Sequence, residues 1–69
     1  MSKNEQALYA EMQNRGYSYG LCMTALKILS TSPKAISDML AYLYEEQPSE
    51  EIFIAKIVSI CETNSDNNQ

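Results

Sequence analysis

Three residues that interrupt helices, Gly16, Pro33 and Pro48, divide this chain of 69 residues into segments of helical length. Glycine favours the left-handed conformation in which helices often end. Proline is tolerated at the first position of a helix, where an amide hydrogen would have no partner. Four helices and a polar, disordered C-terminal tail are therefore predicted. The helices have approximate bounds 3–15, 18–30, 33–47 and 49–61, and the tail is 63–69.

Serine residues stand at the predicted starts of all four helices, at positions 2, 18, 32 and 49. A serine side chain accepts a hydrogen bond from an amide in the first turn, which stabilises a helix start. Ser2 and Glu5 have the spacing of a capping box, in which each side chain bonds the other residue's amide. The cap positions therefore agree with the bounds that Gly16 and the prolines indicate.

Apolar residues recur in the third segment at the spacing i, i+3, i+4 and i+7, namely Ile36, Met39, Leu40 and Leu43. This spacing places them on one face of a helix. The segment 52–61 is rich in β-branched residues and would also suit a strand, but no other segment could pair with it. The predicted fold class is all-α, a compact four-helix orthogonal bundle forming one domain over residues 1–62.

Apolar residues cover most of the circumference of the predicted fourth helix. Phe53, Ile57 and Ile60 repeat at i, i+4 and i+7, which predicts a face packed in the core. The other apolar residues fall outside that face. A chain of this size buries only about 60% of its unfolded surface, so it folds as a monomer or a homodimer. The fourth helix is central to the core or half of a partner interface.

Charge and residue types exclude several classes of function. The net charge is −4, and the five basic residues are scattered, whereas nucleic-acid binding depends on Lys and Arg that neutralise phosphates. Without histidine there is no imidazole base for a nucleophile, and two cysteines do not complete a zinc site. We expect no enzymatic activity, no cofactor, no metal and no nucleic-acid partner.

The chain's most apolar stretch, 52–61, contains Lys56 and is too short to cross a membrane. The N-terminal residues lack the apolar run of a signal peptide. We therefore expect a cytoplasmic protein without a membrane partner. In a reducing compartment Cys22 and Cys61 are expected to be free thiols.

Between positions 15 and 41 the residue spacing matches that of a known helical family. Arg15-Gly16-Tyr17-Ser18 looks like the family's Met-Gly-Phe/Tyr loop. The rest of the match consists of Cys22, Ala25 and Leu26 in the second helix, Ser32-Pro33 at the start of the third, and Met39-Leu40-Ala41. The segment thus resembles a ubiquitin-associated (UBA) domain, which implies a UBA-like arrangement of the first three helices.

The same resemblance implies a protein-binding surface on the loop and the third helix. It would combine Arg15, Gly16 and Tyr17 with Leu40 and Tyr44. Two positions that UBA domains use to contact ubiquitin differ here, since Arg15 replaces the loop methionine and alanine follows Leu40 in place of a second leucine. The chain also adds a fourth helix. The resemblance therefore implies the fold more than ubiquitin binding.

Protein interaction is the function class that remains after these exclusions. We expect a small non-enzymatic interaction module or adaptor that binds a protein partner of unknown identity. It would bind through the UBA-like surface or the apolar excess of the fourth helix. A helix-turn-helix accessory regulator is one alternative, although the third helix becomes acidic after Lys34. A structural homo-oligomer is the other.

Overall fold

Four α-helices joined by short turns make up the computed structural model, which describes the backbone of residues 1–67 and the side chains of residues 1–62. The helices are α1 (Lys3–Asn14), α2 (Tyr19–Leu29), α3 (Pro33–Glu46) and α4 (Glu50–Asn67). The described residues contain no strand. The segment 52–61, which would also suit a strand, is therefore helical. The all-α prediction of a compact four-helix bundle is confirmed.

Serine caps determine where the helices begin. The Ser2 hydroxyl accepts a hydrogen bond from the Glu5 amide at 3.2 Å, and the Glu5 carboxylate accepts one from the Ser2 amide at 2.9 Å. These bonds to Ser2 lower the pKa of Glu5. The capping box is therefore present as predicted. The three other caps are Ser18, Ser32 and Ser49, each bonded to the amide three residues later.

The end of α4 lies beyond the predicted one. The sequence predicted a helix ending near Cys61 and a disordered tail over 63–69, whereas the backbone of residues 63–67 continues α4. Neither glycine nor proline follows Glu62, so no residue forces the helix to end there. The correction concerns the end of the helix, whereas the disorder of the tail stays a prediction, and residues 68 and 69 lie outside the described part of the chain.

The core lies where α1 packs against α2 and α3, with α4 packed beside α2. The radius of gyration of the chain is 11.4 Å, close to the value of about 11 Å expected for a compact chain of this length. The buried side chains are Leu8, Met12, Tyr17, Cys22, Ala25, Leu26, Leu29, Ile36, Met39, Leu43, Phe53 and Ile57. The apolar faces predicted for α3 and α4 therefore meet in one core, together with buried residues of α1 and α2.

Gly16 and Gln47 have positive φ angles of 80° and 46° at helix ends, which predicts opposite effects of substitution. Gly16→Ala should lower the free energy of unfolding by about 1 kcal/mol, because a left-handed backbone crowds a Cβ atom. No neighbouring atom lies within 4 Å of that Cβ, so the cost is local. Gln47→Gly should raise the same free energy by about 0.5 kcal/mol, since the relieved strain exceeds the added chain entropy. Urea unfolding measures both changes in the free energy of unfolding. Two changes of the same sign would contradict the assigned backbone conformations.

Candidate protein-interaction surfaces

Tyr17, predicted to belong to a recognition loop, lies in the core. Its side chain is 6% exposed, and its ring centroid lies 4.9 Å from that of Phe53 with the rings tilted by 33°. Its hydroxyl donates a hydrogen bond of 2.6 Å to the carbonyl of Pro48. The ring is therefore not available as a surface anchor in this conformation. Its role here is to join the α1–α2 loop to the start of α4.

A second polar contact strengthens this junction. The Ser18 amide donates to the Glu50 carboxylate at 3.1 Å, again linking the α1–α2 loop to α4. Burial raises the pKa of the Tyr17 hydroxyl and of the nearby Cys22 thiol, and Glu50 acts in the same direction. Both groups are held neutral in the folded chain. Keeping these two groups neutral favours the folded chain at pH values below their ordinary pKa values. This stabilisation is lost as the pH rises through the raised pKa values of the folded chain.

The remaining residues of the predicted UBA-like surface differ widely in exposure. Arg15 is held along α1 by an ion pair with Glu11, in which Nη2 lies 3.2 Å from the carboxylate and only 17% of the Arg15 side chain is exposed. Gly16 is exposed, Leu40 is half-buried against the core, and Tyr44 is 57% exposed. Of these five residues, Tyr44 alone presents a large exposed side chain.

Helix α4 has two apolar faces with different surroundings. Phe53 and Ile57 are 0% and 5% exposed and belong to the core. Ile54 and Val58 each follow one of them and therefore point about 100° further round the helix. Those two side chains are 42% and 49% exposed. The sequence left open whether the fourth helix is central to the core or half of a partner interface. In the structure, α4 completes the core with one face and exposes an apolar stripe on another.

The exposed stripe of α4 forms one wall of an open groove of about 630 Å³, here called the α2/α4 groove. Its lining residues are Leu21, Thr24 and Ile28 from α2, and Ile54, Ile57, Val58, Cys61 and Glu62 from α4. Aliphatic side chains dominate both walls. Such a surface can bind by burying apolar groups of another molecule.

The other edge of α4 faces α3. Lys56 places its ammonium nitrogen 5.1 Å from the centre of the Tyr42 ring, a cation–π contact that holds this charge away from the α2/α4 groove. Ile52 is 56% exposed and lies outside the groove lining. The only charged side chain in that lining is Glu62.

Two further groups of sequence expectations concern metals and membranes. Across the described residues, no three His, Cys, Asp or Glu side chains lie where they could hold a metal ion together. In the same part of the chain, no helix combines the length and apolarity needed to cross a membrane. Cys22 is buried, Cys61 is half-buried, and both are free thiols.

Sequence reasoning identified the apolar excess of α4 but missed the wall that α2 contributes. Leu21 and Ile28 are seven residues apart and so lie on one side of α2, beside its buried face. That spacing was the available signal, yet it does not show which helix lies opposite.

Comparison of this chain with protein-family models, curated proteins and solved structures finds no match.

Proposed function

We propose that this chain is a small, non-enzymatic protein-interaction module that binds through the α2/α4 groove. The observation that carries the proposal is the exposure of Ile54 and Val58 beside aliphatic walls. Burying apolar surface that is in contact with water is favourable by about 25 cal/mol of free energy for each Å². Contiguous apolar patches on small proteins often mark interaction sites. Binding would replace water in the groove with apolar side chains of a protein partner.

Charge and residue types support binding without chemistry. The chain has no histidine and a net charge of −4, and its basic residues form no stripe. Duplex nucleic acid is therefore not part of the proposal, because phosphate contacts require clustered Lys and Arg. A cytoplasmic setting and a UBA-like arrangement of α1 to α3 belong to the same proposal. Within it, the buried position of Tyr17 favours the groove over the loop as the binding surface.

Site-specific photo-crosslinking in the native cell tests this proposal. A photoreactive amino acid replaces Val58 in the groove or, as the matched control, Tyr44 on α3, which is similarly exposed. We expect a discrete protein adduct from position 58 that disappears when Ile54→Lys is added. Adducts from position 44 with none from position 58 would move the binding surface to the UBA-like residues. No discrete adduct from either position would contradict a protein-interaction function.

A further inference from the structure

We draw no further inference here: the strongest candidate, the apolar α2/α4 groove with its exposed Ile54 and Val58, belongs to the site already described, and nothing in the structure shows which molecule covers it.

Discussion

A chain truncated after Gln47 is expected to lose cooperative unfolding. Truncation removes Phe53 and Ile57 from the core and exposes the ring of Tyr17, which packs on Phe53 in the intact chain. It also removes the Pro48 carbonyl that accepts the Tyr17 hydroxyl. The remaining chain approaches the length of about 40 residues below which domains rarely fold unaided. Thermal melts followed by circular dichroism should be sigmoidal for the full chain and broad for the truncated one.

Truncation after Glu62 is the matched control for this experiment. It removes residues 63–69 and leaves every described buried side chain in place, so it should preserve the cooperative melt. If the chain ending at Gln47 also melts cooperatively at a similar temperature, α4 is a detachable arm. That result would contradict the assignment of α4 to the core.

Phe53→Ala is expected to lower the free energy of unfolding by about 3–4 kcal/mol, because it removes a fully buried ring and leaves a cavity. Domains of this length have total stabilities of only about 3–10 kcal/mol, so the variant approaches the limit of folding. Urea unfolding of the variant and the parent chain measures the change.

Ile52→Ala is the control for the Phe53 substitution. It lies one position earlier on α4, but its side chain is 56% exposed, so its effect should be within about 0.5 kcal/mol of zero. Equal losses for the two variants would show that α4 contributes through helix formation alone. In that case the packing of Phe53 against Tyr17 would be contradicted.

Local signals made the helices predictable. The serine caps and the Ser32-Pro33 pair mark helix starts through hydrogen bonds that involve only neighbouring residues, so their effect can be read from short spacings. The end of α4 was missed because residues 63–67 are polar, weak helix formers, but none of them breaks a helix. Helix propensities of this size are weak constraints once a preceding helix supplies the hydrogen-bonding register.

The candidate site depends on contacts between distant residues, which local patterns do not encode. Tyr17 and Pro48 are 31 positions apart, so nothing in the spacing around Gly16 indicated that the tyrosine would be buried. The resemblance to UBA domains placed the same residue on a surface. Periodicity identified the buried face of α4, whereas the α2/α4 groove also requires knowledge of which helices lie side by side.

Native-state hydrogen exchange at low micromolar concentration tests most directly whether α4 completes the core with one face while exposing the other. Amides that open only in global unfolding share one free energy of exchange. The account predicts that the amides of Phe53 and Ile57 exchange with the same free energy as those of Leu8 and Met12 in α1. Rapid exchange along α4 in a chain whose α1 amides stay protected would contradict it.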